Sequence, residues 1–409
     1  MTPGENRAPV ARLSLVWLLC LGGLGVIFPY FALYLTEHGG LSGSQVGVVA
    51  AILPLVGLAA QPLWGNLADR TGARSRILAL LGFGAALGYL LFARVETFAG
   101  FVLCAAVLAC FSTPLIPSCV SLSFALLRES GAHRFGRVRV WGTVGFALTV
   151  GGFPLLLGRM APVEGAAQGG ATPGLGLMFV VAAVLVAAAG LVALGFSRSD
   201  PAAARAARGD WRELLHNAAY MRFLLFLLLA YMCLQGPMAL FPILVRSQGG
   251  GIEAISRMWL LMLLLEVPLV LFLGAGVARI GPRAVIAIGI AAGGVRWLVS
   301  GFVDDLGWVT AVQVLHGVTV WGVVLGAPIY ADQIVPERLR STAQGVLAMV
   351  GPSLGGILSN LGTGWLIDVL GPTAPYRLSG ISALVLTLLI PWLLTSTRSE
   401  ARARTSTGP

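Results

Sequence analysis

Three ionisable side chains fall in the middle of long apolar stretches of this 409-residue chain: Glu266, Arg296 and His316. A carboxyl group, a guanidinium and an imidazole in such surroundings suit one task above others, which is to take up and release a proton beside a fixed positive charge. Protonation of a buried carboxylate responds to desolvation and to a neighbouring arginine, so it can switch with conformation. The imidazole changes charge near neutrality and can accept, donate or relay. A plainer role is also open: a buried Glu266–Arg296 pair that only locks two helices together, a weak source of stability, with His316 a satisfied core histidine.

Other polar groups join these as candidate solute ligands. Gln235 precedes Gly236-Pro237, where the proline removes a helix hydrogen bond and can kink the helix beside a cavity. Gln313 lies one helical turn before His316. Gln61 is a further candidate, and each glutamine can equally be helix–helix glue. Arg139 stands at the start of an apolar run: Val140 to Leu157 nearly spans a bilayer alone, which leaves Arg139 either at the interface or in a cavity. No His/Cys/Asp/Glu pattern suits a metal, and no dense polar constellation suits catalysis, so the expected catalytic and metal-ligand sets are empty. The five cysteines (Cys20, Cys104, Cys110, Cys119, Cys233) lie within apolar runs and read as packing residues.

These groups must be carried by membrane-spanning helices. Hydrophobic residues are 57% of the chain and charged ones 11%, outside the range of soluble globules. Twelve apolar runs stand near 13–35, 44–67, 76–93, 98–126, 137–157, 175–196, 219–245, 255–278, 284–303, 306–330, 341–364 and 374–396. Each reaches the roughly 17–25 residues needed to cross a bilayer core of about 30 Å. They are numbered here as spans 1 to 12. Glu266 is central in span 8, Arg296 in span 9 and His316 in span 10, so all three lie near the midplane. A charge there costs roughly 2.5–3.5 kcal/mol on insertion scales and is not left facing lipid.

All 27 basic residues are arginine, and most occupy alternate gaps: Arg7 and Arg12; Arg70, Arg74 and Arg76; Arg128, Arg134, Arg137 and Arg139; Arg198, Arg205, Arg208 and Arg212; Arg279 and Arg283; Arg338 and Arg340; Arg398, Arg402 and Arg404. Basic loops stay cytoplasmic, so both termini are expected inside. The same rule accounts for the net charge of +10 without a nucleic-acid partner. The first run follows a short polar lead with no A-x-A cleavage pattern and is read as a retained helix.

The long polar stretch from Ser197 to Asn217 divides the chain. The expected organisation is an N-terminal six-helix bundle over 1–196, a cytoplasmic central loop over 197–217 and a C-terminal six-helix bundle over 218–409. The halves echo each other: Gly65-Asn-Leu-Ala-Asp69-Arg70-Thr-Gly72-Ala-Arg74 is matched by Gly274-Ala-Gly-Val-Ala278-Arg279-Ile-Gly281-Pro-Arg283, with Ala278 in place of Asp69. Repeated halves of like topology suit a secondary transporter with its site near the midplane between them.

The loop Gly65-x-Leu-Ala-Asp69-Arg70-x-Gly72-x-Arg74-x-Arg76 resembles the signature loop of the major facilitator superfamily. That resemblance implies a cytoplasmic gate: glycines for a tight turn, and Asp69 paired with arginine or capping a helix to latch the outward-facing state. Pro336-Glu-Arg-Leu-Arg340-Ser-Thr-Ala-Gln-Gly345 is a second superfamily-like loop. Phe135-Gly-Arg137-Val-Arg139-Val-Trp141-Gly142-Thr-Val-Gly145-Phe146, the Leu315-His316-Gly317 element and Leu265-Glu266-Val-Pro268 are similar to elements of the lactose permease, nucleoside:proton symporter and phenylpropionate permease cluster. In that cluster the position of Arg139 contacts substrate, and the spacing of Arg296 and His316 matches an arginine–histidine pair. Pro117-Ser118-Cys-Val-Ser121 carries no acid where the lactose permease has a glutamate, and Gln313 and Thr319 replace a lysine and a glutamate, which argues against a galactoside. Gly351-Pro352-Ser-Leu-Gly355-Gly356 is similar to an antiporter element but lies in span 11, where close packing is the simpler role.

The reading is an all-α membrane protein of twelve helices in two pseudo-symmetric bundles. The expected function is a proton-coupled symporter that imports a small polar or anionic organic solute (aromatic acid, nucleoside or sugar-like) across the inner membrane as a monomer, with the proton as coupling ion and no cofactor. Substrate ligands are expected at Arg139, Gln235, Glu266, Arg296, Gln313 and His316, with coupling through Glu266, Arg296 and His316. The alternative is a proton-driven antiporter that exports a drug or metabolite.

Overall fold

The computed structural model describes residues 7–127, 131–160, 172–196 and 212–395. Arg128, Arg198, Arg205, Arg208, Arg398, Arg402 and Arg404, and most of the expected central loop, lie outside these residues. The described residues are helical and contain no strand. Eleven helices are long and apolar enough to cross a membrane: Val10–Glu37, Gly43–Thr71, Arg74–Phe92, Phe98–Leu126, Phe135–Arg159, Leu177–Leu194, Ala218–Ala239, Arg279–Phe302, Leu306–Ile334, Glu337–Leu370 and Ala374–Leu393. Span 8 is the remaining one of the twelve expected. It is the first part of the helical run Ile252–Phe302, which breaks at Gly281 where φ is 78° and ψ is 158°.

The chain forms two compact units, Met1–Ala204 and Arg205–Pro409. Their internal kinship shows in the backbone. Among the described residues positive φ occurs only at glycine, at Gly40, Gly72, Gly174, Gly249, Gly281 and Gly371. These fall into three pairs. Gly40 and Gly249 each precede by three residues the helices that begin at Gly43 and Ile252. Gly174 and Gly371 stand equally far before Leu177 and Ala374. Gly72 and Gly281 are the glycines matched in the repeated loop. Each side of a pair needs a left-handed residue to turn the chain into the next span, and only glycine does so without Cβ strain.

The paired turns differ where their sequences differ. Gly72 caps span 2 in the αL conformation, its N–H bonded to the Ala68 carbonyl, the usual helix ending. Gly281 precedes Pro282, and a following proline pushes ψ to extended values, hence ψ of 158°. Gly65, expected in the turn, sits inside the helix Gly43–Thr71 with nothing near the position its Cβ would take. The tight turn is therefore the work of Gly72 alone.

Spans 10 and 11 depart from regular helix near their centres. Span 10 passes through a 3-10 turn at Gln313–Leu315 and a π segment at Val320–Leu325, and span 11 has a π segment at Met349–Gly355. Span 7 stops at Leu240, three residues after Pro237, and resumes as Phe241–Ser247. Pro237 lacks the N–H of a regular turn, and Pro242 sits in the first turn of the resumed helix, where none is needed. Such irregular turns inside helices collect at functional positions, and here they flank the polar residues of the C-terminal unit.

The conformation at Gly281 is open to glycine almost alone, and other residues forced there lose about 1–3 kcal/mol. Gly281→Ala is therefore expected to lower the apparent melting temperature in detergent. Gly345→Ala, at a helical site with no atom within 4 Å of the added Cβ, should hold or raise it. Equal melting temperatures for the two variants would show that the turn carries no such constraint.

Candidate functional site

The polar residues of the C-terminal unit converge on Arg296, which is 1% exposed. Its Nε donates to Gln313 Oε1 at 2.7 Å, Nη1 lies 2.9 Å from His316 Nδ1, and Nη2 donates to the Met238 sulfur at 2.8 Å. The guanidinium also lies 4.0 Å from the centre of the Trp297 ring, a cation–π contact. Two helices thus supply neutral acceptors to one cation on span 9: span 7 through Met238 and span 10 through Gln313 and His316.

Gln313 is fully buried, and both ends of its amide are engaged. Its Nε2 donates to Ser300 Oγ at 3.2 Å and to the Val309 carbonyl at 2.8 Å, while the Ser300 hydroxyl donates to the Arg296 carbonyl. Expected as a solute ligand, Gln313 is instead placed to orient Arg296. The 3-10 turn at Gln313–Leu315 tightens the chain so that Gln313 and His316 present to the same guanidinium.

A guanidinium has only donors, so His316 Nδ1 must be the acceptor in its contact with Arg296. The imidazole is consequently neutral with its proton on Nε2. His316 is half-buried, and its ring meets Trp259 edge-on at 6.3 Å. Glu266 is also half-buried, midway along span 8. Gly317 brings its backbone against span 10, since a Cβ on Gly317 would stand 2.5 Å from the Glu266 nitrogen. Glu266 and His316 therefore lie where two helices touch. The locking pair of Glu266 with Arg296, considered from sequence, is not what holds the arginine, which takes its hydrogen bonds from Gln313, His316 and Met238.

Gln235 is half-buried on span 7, three residues before Met238 and on the same helical face. Sequence reasoning missed Met238, Ser300 and Trp297, whose types give no hint of an arginine partner. It also missed Asn360, which is 3% exposed in span 11 and has an amide oxygen without a hydrogen-bond partner. The signal there was legible: an asparagine within an apolar run is a rare choice.

In the N-terminal unit Asp69 pairs with Arg74 at 2.7 Å, and Arg74 Nε donates to Ser121 Oγ of span 4 at 3.1 Å. Arg74 is buried, while Arg70, Arg76 and Asp69 are exposed. The Asp69 side chain is 52% exposed, so the pair contributes little by itself, and burial of Arg74 supplies the anchoring. Arg74, Gln61, Ser118 and Ser121 line a small open cleft of about 50 Å³. Arg139 is exposed in span 5, its guanidinium 5.9 Å from the ring of the fully buried Trp17. Trp17 in turn donates to Ser123 of span 4. The aromatic seat fixes where Arg139 begins without burying it.

Comparison with known proteins adds the following. The model of the MFS_1 like family matches residues 10–378. A maltose permease of Geobacillus stearothermophilus is 27% identical over 381 residues, 92% of this chain and 92% of that protein. The uncharacterized transporter YwbF of Bacillus subtilis (strain 168) is 24% identical over 377 residues, 92% of this chain and 91% of that protein. A solved structure of a mutant nucleoside transporter NupG superposes with a TM-score of 0.84 at 17% identity, over 94% of this chain and 100% of the other; at that identity the likeness concerns the fold.

The tautomer of His316 gives a direct test of the Arg296 geometry. Histidine-selective 15N NMR of the purified protein, with His316→Gln to assign the signal, should show Nδ1 unprotonated and Nε2 protonated at neutral pH. In Arg296→Leu that preference should relax. An unchanged His316 signal in the variant would remove Arg296 as its donor.

Proposed function

The chain belongs to the MFS_1 like family, and from that premise we propose that it is a proton-coupled symporter importing a small polar or anionic organic solute by alternating access. It is a multi-pass membrane transporter and not an enzyme. The observation that carries the proposal is the buried Arg296, whose hydrogen-bond partners among the described residues are neutral, on a helix bundle where His316 contacts it and Glu266 packs its backbone against Gly317.

A guanidinium so placed keeps its positive field, because neutral acceptors satisfy its N–H groups without cancelling its charge. Two anions can answer that field: the ionised carboxylate of Glu266 and an acidic or electron-rich group of the solute. Both cannot do so at once without like-charge repulsion. Solute binding therefore favours protonated Glu266, and solute release favours its ionisation. This reciprocity makes the proton and the solute travel together. His316 offers its Nε2–H to the solute, and a second proton on the ring would compete with Arg296 for Nδ1.

Within the C-terminal unit Gln235 supplies neutral hydrogen bonds, and in the N-terminal unit Arg139 is a further candidate solute ligand on the resemblance of its element. Asp69 and Arg74, with Gly72 at the turn, form the cytoplasmic latch. The full-length maltose permease relative supports a polar organic solute in general terms. The arginine distribution supports a cytoplasmic membrane location with both termini inside and six-helix bundles on either side of the central loop; the proposed carrier acts as a monomer with the proton as its coupling ion.

Glu266→Gln fixes the acid in a form that mimics protonation. The variant is expected to exchange solute down its gradient at near wild-type rates, yet fail to accumulate it when a pH step is imposed across proteoliposomes. A purely structural Glu266 gives the opposite pattern, with poorer expression and a lower melting temperature while the surviving protein still responds to the pH step. Uphill uptake by a folded Glu266→Gln carrier would sink the coupling assignment.

A further inference from the structure

Span 11 carries three buried polar side chains in succession along one side, and two of them are accounted for. Ser359 Oγ accepts from the Gly236 N–H and donates to the Met232 carbonyl, each at 2.7 Å. Thr363 packs against Gly236, where any Cβ would collide with it and with the Ser359 carbonyl. Span 7 and span 11 are thus joined at Gly236 through Ser359. Asn360 stands beside this joint and takes no part in it. Its amide oxygen is buried with no partner, and its amide makes no hydrogen bond among the described residues. A buried amide left so is normally eliminated or satisfied, and retention asks for a partner that comes and goes.

The neighbour that points to such a partner is Gln235. One turn before Asn360, Gly356 lets span 7 approach so closely that its Cβ would stand 3.3 Å from Gln235 Cγ. Gln235 is half-buried and likewise makes no hydrogen bond among the described residues. Three residues further along the same face of span 7, Met238 accepts from Arg296. Span 7 therefore meets both groups three residues apart, Gln235 beside Gly356 of span 11 and Met238 against Arg296 of span 9, a step of about 4.5 Å along its axis.

Their chemistries differ. The cluster offers donors only, through the guanidinium and His316 Nε2–H, and suits a carboxylate or another acceptor. Each amide offers two donors and an acceptor, and suits a group that both gives and takes hydrogen bonds. We propose that Asn360 and Gln235 form a neutral subsite for a solute hydroxyl, so that the transported molecule is a hydroxylated organic acid with its carboxylate toward Arg296 and His316 and a hydroxyl toward span 11. The inference rests on the solute-binding reading of the C-terminal unit given above.

Three probes separate the subsites in thermal-shift titrations of the full-length protein in detergent: D-gluconate with both groups, hexanoate with the carboxylate alone and D-glucose with hydroxyls alone. Wild type should be stabilised most by gluconate. In Asn360→Leu the gluconate Kd should rise about tenfold, the loss expected for one or two neutral hydrogen bonds, while the hexanoate shift stays unchanged. Without ligand, the Asn360→Leu melting temperature should hold or rise, because an orphaned polar group has been removed. Gln235→Leu should show the same selectivity and carries the test if Asn360→Leu folds poorly. Equal loss for gluconate and hexanoate, or no loss for either, would overturn the subsite. So would a wild type that responds to none of the three probes. The pH-step experiment on Glu266 is independent of these probes, so the hydroxy-acid assignment can fail while proton coupling stands.

Discussion

Arg296 is the constraint on which the C-terminal unit depends. A lone charge at the centre of a bilayer costs roughly 2.5–3.5 kcal/mol on insertion scales, and this one is removed from solvent almost completely. The helices around it are arranged to answer that cost. Span 7 breaks after Pro237, close to Met238. Span 10 tightens into a 3-10 turn so that Gln313 and His316 face the same partner, and Ser300 ties Gln313 back to the backbone of Arg296 itself. Each partner is neutral, so hydrogen bonds are satisfied while the charge persists. A purely structural site would more economically use a carboxylate, or an apolar residue of similar volume.

The two units are variations on one pattern, and the places where they diverge are informative. The three pairs of positive-φ glycines keep equivalent turns in both. At the repeated loop, however, the N-terminal unit retains Asp69 and its ion pair with a buried Arg74, while the C-terminal unit has Ala278 and a proline-directed break at Gly281. Glu266, Arg296 and His316, conversely, lie in the C-terminal unit. The two units share turns at equivalent places. One has a surface-exposed acid near a helix end, and the other a buried cation with proton-sensitive neighbours.

What the sequence made legible follows from which signals are one-dimensional. The apolar helices, and the positions of Glu266, Arg296 and His316 along them, can be read from apolar length and residue spacing alone. The grouping of Arg296 with His316 was suggested by their spacing on adjacent spans, and they do meet. Gln313 read equally as a solute ligand or as glue between helices, and its amide is engaged at both ends at a 3-10 turn that composition does not announce. Met238 and Trp297 were invisible for a different reason: thioether and indole contacts to a guanidinium arise from packing, and both residues are ordinary in an apolar helix. Asn360 was visible as a type but not as an orphan, since satisfaction of a buried amide is a property of three dimensions.

The choice of arginine over lysine at position 296 follows from the same geometry. The planar guanidinium directs Nε to Gln313, Nη1 to His316 and Nη2 to Met238 while its face lies on Trp297. An ammonium is a compact point charge on a flexible stem and cannot reach acceptors on two helices and cover an indole together. It would also release its proton more readily when desolvated, and the fixed positive field would disappear with it. Because arginine does not deprotonate in proteins, the titrating steps of the proposed cycle fall to Glu266 and His316, the two groups that are half-buried instead of sealed. The division of a permanent charge in the interior from titratable groups at its edge is what allows protonation to change while the helices around Arg296 keep their places.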